Sequence, residues 1–195
     1  IGMFEPVSKP WGMNGIPEDF EFGTLPEDVE HIEAHLGYAI DRIPVLGETG
    51  IKIFFNGPES FTPDDRYLLG PAPEVPNFFV AAGFNSIGIQ SAGGAGKVLA
   101  EWIVNGQPPM DLWDVDIRRM MPFQVNRKYL HDRTVEALGL LYAMHWPFRQ
   151  PESARGVRTS PLHLRLKDQG ACFGETAGWE RANWFAPVGI TPEYQ

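Results

Sequence analysis

Cysteine occurs once in the 195 residues, at Cys172. That excludes an internal disulfide and a cysteine-based zinc site, and a lone thiol without a CxxC partner reads as a small buried residue rather than a nucleophile. No apolar run approaches the roughly 20 residues of a membrane helix, and no signal peptide opens the chain, so a soluble protein is expected. Positive charge is scarce: 16 Lys and Arg stand against 25 Asp and Glu, a formal net charge of -9. Such a surface repels nucleic acid and anionic lipid.

Several chemical signatures are missing as well. A Walker A loop around Gly96 and Lys97 would need a glycine where Ser91 stands and a hydroxyl where Val98 stands. The dinucleotide fingerprint GxGxxG fits "GAGKVL" only until Leu99 takes its last position. Ser60, Ser86 and Ser160 lack a GxSxG setting, so a hydrolase triad has no support. His31 and His35 are spaced i, i+4 but find no third ligand and no HExxH pattern, which makes them a solvated helix face and leaves the expected metal set at none. His131, His145 and His163 are scattered without partners.

What is present is α/β in character. Val29, Ile32, Leu36, Ile40 and Ile43 recur at helical spacing over 26–43, with Pro26 at the start and Pro44 at the end. "GIKIFFNG" (50–57) and "RYLLG" (66–70) read as buried strands joined by the turn-rich "PESFTPDD". A further strand at 78–82 is apolar on both faces, which implies a central place in a covered sheet. Its helix is expected from about Gly94 to Asn105, with Val98, Leu99, Trp102 and Ile103 inward and Gly106 as its stop. A second amphipathic helix over 126–142 carries Leu130, Val135, Leu138, Leu141 and Tyr142. Ser160 and Pro161 open a short helix that Gly170 stops.

Between strand and helix lies "AAGFNSIGIQSAGGAGK", with five glycines at 83, 88, 93, 94 and 96. Glycine lets a ligand approach the backbone, and a helix N-terminus offers unpaired N–H donors, so the pattern fits a cofactor; tight packing of helix on sheet explains it equally well on spacing alone.

Taken in order, "GPESFTPD", "FFVAAGFNSIGIQSAGGAGKVLAEWIVNGQPPMDLWDVDIRR", "SPLHLRL" and "GWERANWFAP" resemble the sarcosine dehydrogenase and dimethylglycine dehydrogenase family of flavoproteins. The resemblance covers nearly the whole chain. It implies the C-terminal part of a D-amino acid oxidase-like FAD domain over 1–117, a small, mainly helical linker domain over 118–173, and the opening of an aminomethyltransferase-like folate domain over 174–195. The chain is thus expected to be a fragment, with the ADP-binding loop, the flavin-linking histidine and the catalytic residues upstream of Ile1.

The resemblance also implies roles. Gly83, Phe84, Asn85, Ser86, Ile87, Gly88 and Ile89 would supply backbone contacts to the flavin ring. Gln90 stands where related monomeric sarcosine oxidases carry a substrate-binding lysine, and Glu59 lies on the flavin or substrate side; a helix-start role for Gln90 and a solvated one for Glu59 stay open. Gly57 stands near where those oxidases have a flavin-bonding cysteine, which excludes attachment through this segment. Trp179, Trp184 and Phe185 would pack between domains. The implied reaction is oxidative demethylation of a small N-methylated glycine derivative, with FAD as cofactor, tetrahydrofolate in the full-length protein, and an electron-transfer flavoprotein, or oxygen in oxidase members, to take the electrons. The compartment would be cytoplasm in a bacterium or mitochondrial matrix in a eukaryote. A non-catalytic reading also exists, because a regulatory subunit of pyruvate dehydrogenase phosphatase shares the architecture.

Overall fold

The computed structural model describes residues 5–144 and 150–193, so His145 lies outside the described residues. The fold is mixed α/β, in the order α1 (Val29–Arg42), β1 (Leu68–Pro71), β2 (Phe79–Ala82), α2 (Gly88–Asn105), α3 (Arg127–Tyr142), α4 (His163–Asp168), β3 (Ala171–Thr176) and β4 (Trp179–Phe185). Two antiparallel strand pairs, β1 with β2 and β3 with β4, make up its sheets among the described residues.

α1 starts where Asp28 accepts a hydrogen bond from the His31 N–H at 3.1 Å, satisfying one of the helix's free first-turn donors. It begins after Pro26 rather than with it, and none of its residues is buried. Its apolar stripe is therefore open. The segment 50–57 is not a strand, and Ile51, Ile53 and Phe55 are exposed. Asn56 ties the segment to the chain ahead of α1, accepting from Leu25 N and donating to Pro26 O, each at 2.8 Å. A strand exists only where a neighbour takes its backbone hydrogen bonds, and alternation of residue types cannot supply that neighbour.

β1 and β2 pair in the register Leu68 with Ala82 through Pro71 with Phe79. The other edge of β2 pairs with no described residue, and Ala81 and Ala82 are exposed, so the covered central position read from the sequence is not what the described residues build. The buried side of the pair is β1: Leu69 is fully buried, and its N–H donates to Val115 O at 2.8 Å, drawing the segment after α2 alongside. Trp102 of α2 covers it. A Cβ at Gly70 would stand 2.7 Å from the Trp102 ring, so only glycine allows the indole to lie on the strand.

α2 begins at Gly88, six residues before the expected start, and ends at the left-handed Gly106 as read from the sequence. Trp102 and Ala95 are its buried residues, whereas Ile103, expected inward, is half exposed.

α3 is capped by Asn126, whose Oδ1 accepts from the Lys128 and Tyr129 N–H groups at 3.0 and 3.1 Å. Its most buried residues are Tyr129, Arg133, Ala137 and Leu138. Only Leu138 was in the expected stripe, and Tyr142 is exposed. The helix is turned because Arg133, buried on it, reaches β3 to pair with Glu175 at 2.7 Å while its guanidinium stacks over the Tyr129 ring at 5.2 Å. Gly139 lets the segment at Pro6 lie against α3, where the Ser8 N–H donates to Val135 O at 2.8 Å.

The short helix α4 starts two residues after Pro161, with the Ser160 Oγ accepting from the Leu162 N–H at 3.2 Å. The β3–β4 hairpin beyond it has no counterpart in the sequence reading. Ala177 and Gly178, both left-handed, form its turn, and Arg155 clamps it by a bidentate pair with Glu180 at 2.9 and 2.6 Å. Cys172 is buried on β3 as expected, and burial pushes its thiol above the ordinary value.

Candidate functional site

The seven candidate residues Gly83–Ile89 form one continuous bend between β2 and α2. Gly83 turns the chain at φ +63, and a Cβ there would stand 2.8 Å from the Thr62 methyl. Asn85 and Ser86 come next, also left-handed, at φ 49 and 63. Asparagine tolerates that region, but serine is held there at roughly 1 kcal/mol, so the surrounding contacts must enforce it. They do. Asn85, only 1% exposed, accepts from the Thr62 N–H at 2.7 Å and donates from Nδ2 to Thr62 Oγ1 at 3.2 Å, and its own N–H donates to Ser60 O at 3.1 Å. Phe84 stacks on Tyr67 with centroids 4.8 Å apart, and the Ile87 N–H closes the turn on Phe84 O at 2.9 Å.

The bend delivers α2 with its first turn outward. No side chain caps it, Ile89 is fully exposed and Gln90 is exposed beside it. An uncapped start forgoes about 1 kcal/mol of helix stability, and it presents N–H donors with about half a positive charge to whatever lies in front. Glu59 is brought to this bend: the Ser86 Oγ donates to its Oε1 at 3.1 Å. The structure thus joins Glu59 to Ser86 and gives it a partner beyond solvent, while Gln90 sits on the same helix turn. A Cβ at Gly93, Gly94 or Gly96 would meet no atom within 4 Å outside the helix itself. Packing inside the described residues therefore does not call for those three glycines.

Sequence reasoning missed Thr62, Asp64 and Arg119. Arg119 forms a bidentate pair with Asp64 at 2.7 and 2.9 Å, securing the loop 59–66 from its far side. Next to this pair, a cavity of about 200 Å³ is lined by Asp64, Tyr129, Arg133, Glu136 and Glu175 among others, and no residue of 83–90 reaches it. Among its charged groups Asp64 pairs with Arg119 and Glu175 with Arg133. His31 faces Glu5 at 3.1 Å rather than open solvent, and no cluster able to hold a metal occurs among the described residues. Trp179 is covered on one face by the Arg158 guanidinium at 4.3 Å, and Trp184 and Phe185 remain partly exposed.

Residues 11–102 match the family described as FAD dependent oxidoreductase, and residues 105–160 match the FAD dependent oxidoreductase central domain. The chain carries the FAD-dependent oxidoreductase domain architecture of the sarcosine and dimethylglycine dehydrogenase family. It is 47% identical over 194 residues to the 4-methylaminobutanoate oxidase (formaldehyde-forming) of Paenarthrobacter nicotinovorans, covering 100% of this chain and 23% of that protein. Human mitochondrial sarcosine dehydrogenase is 42% identical over 193 residues, 98% of this chain and 21% of that protein. The mitochondrial regulatory subunit of pyruvate dehydrogenase phosphatase from Mus musculus is 40% identical over 186 residues, 95% of this chain and 21% of that protein. The chain therefore spans about a fifth of the length of the relatives it matches.

The bend fits the cofactor this family uses. An electron-rich ring edge needs backbone donors that no side chain already occupies, and the uncapped start of α2 leaves them available next to an exposed apolar residue.

Proposed function

We propose that this chain is part of an FAD-dependent enzyme that oxidatively demethylates a small N-methylated amino acid of the sarcosine or dimethylglycine type. One observation carries the proposal: a buried asparagine clasp holds a left-handed bend so that the bare N-terminus of α2 faces outward. Bound FAD supplies the electron-accepting ring for hydride from the N-methyl carbon, leaving an imine whose one-carbon unit ends as formaldehyde or on tetrahydrofolate. The chain's own part is orientation and electrostatics. Within the bend Gly83–Ile89 the Asn85 and Ile87 N–H groups are taken by Ser60 O and Phe84 O, so the N–H groups at the uncapped start of α2, Gly88 and Ile89, would hold the ring edge, and the positive end of α2 would favour the negative charge that builds there. Asn85 contributes through its side chain, fixing the bend from behind. Gln90 would face the substrate, and Glu59, held at the bend by Ser86, would serve on the flavin or substrate side.

In this reading 1–117 close the flavin domain, 118–173 form the linker domain and 174–195 open the folate domain. The two family matches, which meet between 102 and 105, support such an order. An electron-transfer flavoprotein would take the electrons, and the compartment would be matrix or cytoplasm according to the host. No described helix is long and apolar enough to cross a membrane.

The 40% identity to a phosphatase regulatory subunit favours a second reading, a non-catalytic interaction protein. Purified full-length protein separates the two. A yellow protein bleached anaerobically by sarcosine, dimethylglycine or 4-methylaminobutanoate is the expected result; a colourless protein, or a yellow one that none of these amines reduces, rejects the enzyme.

A further inference from the structure

We infer that Arg119 is a positioning residue for the bend 83–89, acting through Thr62 and Asn85. The inference rests on the proposed flavin contact for its functional meaning, but the mechanical link stands on hydrogen bonds alone. Arg119 has a side chain only 5% exposed, and it addresses the loop 59–67 with its whole guanidinium. Besides Asp64, it donates to Tyr67 O at 3.1 Å, to Asp116 O at 3.2 Å and to Arg66 O. That last carbonyl is shared. The Thr62 hydroxyl also donates to it, at 2.9 Å.

Because Thr62 has a single hydroxyl proton and gives it to Arg66 O, its oxygen is free to accept from Asn85 Nδ2, while Asn85 Oδ1 takes the Thr62 N–H. The Thr62 N–H fixes which end of the Asn85 amide faces it, and Arg66 O, by drawing the Thr62 hydroxyl proton away from Asn85 Oδ1 at 3.3 Å, keeps the hydroxyl oxygen open to the second bond of the clasp, from Nδ2. Thr62 and Asn85 are 4% and 1% exposed, so water cannot replace a lost partner without opening the loop. Arg119 is 55 residues from Asp64 and Asn85 is 23 from Thr62, so the path joins three separate stretches of chain. A lysine at 119 keeps the charge but loses the planar fork that grips a carboxylate and three carbonyls together.

The test uses full-length protein carrying Arg119→Lys, Thr62→Val, both together, or Thr62→Ser, with three readouts: amide hydrogen exchange over 83–89, flavin midpoint potential, and kcat separately from KM. Each of the first two substitutions is expected to speed exchange over the bend about tenfold. The double variant is expected to add little to the larger single effect, because both changes cut one path. The potential should shift and kcat fall with KM nearly unchanged, and Thr62→Ser should behave as the parent. Unchanged exchange over 83–89 in Arg119→Lys, or full additivity in the double variant, overturns the inference. Faster exchange with an unaltered potential upholds Arg119 as the hold on the bend and rejects the flavin contact instead. Should Arg119→Lys fail to fold, the contrast between Thr62→Val and Thr62→Ser decides on the same readouts.

Discussion

Two glycines in helices are expected to respond to alanine with opposite signs. In a helix interior Gly→Ala ordinarily stabilises by about 1 kcal/mol, since glycine gives up more backbone freedom on folding. Gly37 of α1 meets that condition: a Cβ there finds nothing within 4 Å, so Gly37→Ala should stabilise by roughly that amount. At Gly139 of α3 the new methyl would stand 2.5 Å from Pro6 O and 2.8 Å from Pro6 Cα. Both are backbone atoms and cannot swing aside. The segment must lift, losing the Ser8 N–H to Val135 O bond, worth about 1 kcal/mol, together with packing that overfilling typically disturbs by about 1–3 kcal/mol. Against a propensity gain of about 1 kcal/mol, Gly139→Ala should destabilise by about 1–3 kcal/mol. Urea unfolding followed by circular dichroism gives both signs, and faster exchange of the Ser8 amide localises the second. Equal stabilisation by the two substitutions would refute the docking of the N-terminal segment on α3.

Three further outcomes are expected. Gly88→Val in the full-length protein should abolish flavin retention, because a Cβ at Gly88 already lies 3.4 Å from Phe84 Cβ and the branched methyls extend toward the ring's space; normal flavin absorbance after purification contradicts this. At Glu180 burial favours the neutral acid, but it is outweighed by hydrogen bonds from Arg155 and the Gly156 N–H and by the Arg155 charge, so the carboxyl titrates below its ordinary value. Its stabilising contribution is therefore complete above the unfolded value of about 4.3 and is lost as pH falls through the lower folded value. Glu180→Gln should flatten the decline of the urea midpoint between about pH 5 and 3, and an unaltered slope rejects the clamp. Cys172, with its thiol raised by burial, should resist iodoacetamide at pH 8 until the protein is unfolded, as mass spectrometry can follow; rapid native labelling argues against the buried placement.

Helix positions were legible where a local signal closes them. Pro44 and Gly106 each act on their own backbone, and the structure places the ends of α1 and α2 within a residue or two of them. The start of α2 was misread because the stretch from Gly88 to Gly93 was taken with the turn before it, whereas the turn at Phe84–Ile87 sets the first helical residue and the glycines at 93, 94 and 96 merely weaken the helix they sit in. Strands fared worse, since pairing is a property of two segments: 66–70 found a partner and 50–57 did not. The β3–β4 hairpin escaped notice because Ala177–Gly178 is a less recognisable turn than Asn-Gly. Of the candidate site, the bend was legible from the glycines between strand and helix. Its supports were not, because Thr62 and Arg119 become neighbours of the bend only through the fold, and nothing in "FTPDD" or "DIRR" announces that they meet.

The side of β2 that pairs with no described residue has a practical corollary for anyone preparing these 195 residues by themselves. Bare peptide groups beside exposed Phe78 invite a second molecule to zip on, so the isolated polypeptide should clump as its concentration rises. A lysine introduced at the outward-facing Ala81 would raise its solubility limit by making that rim self-repelling.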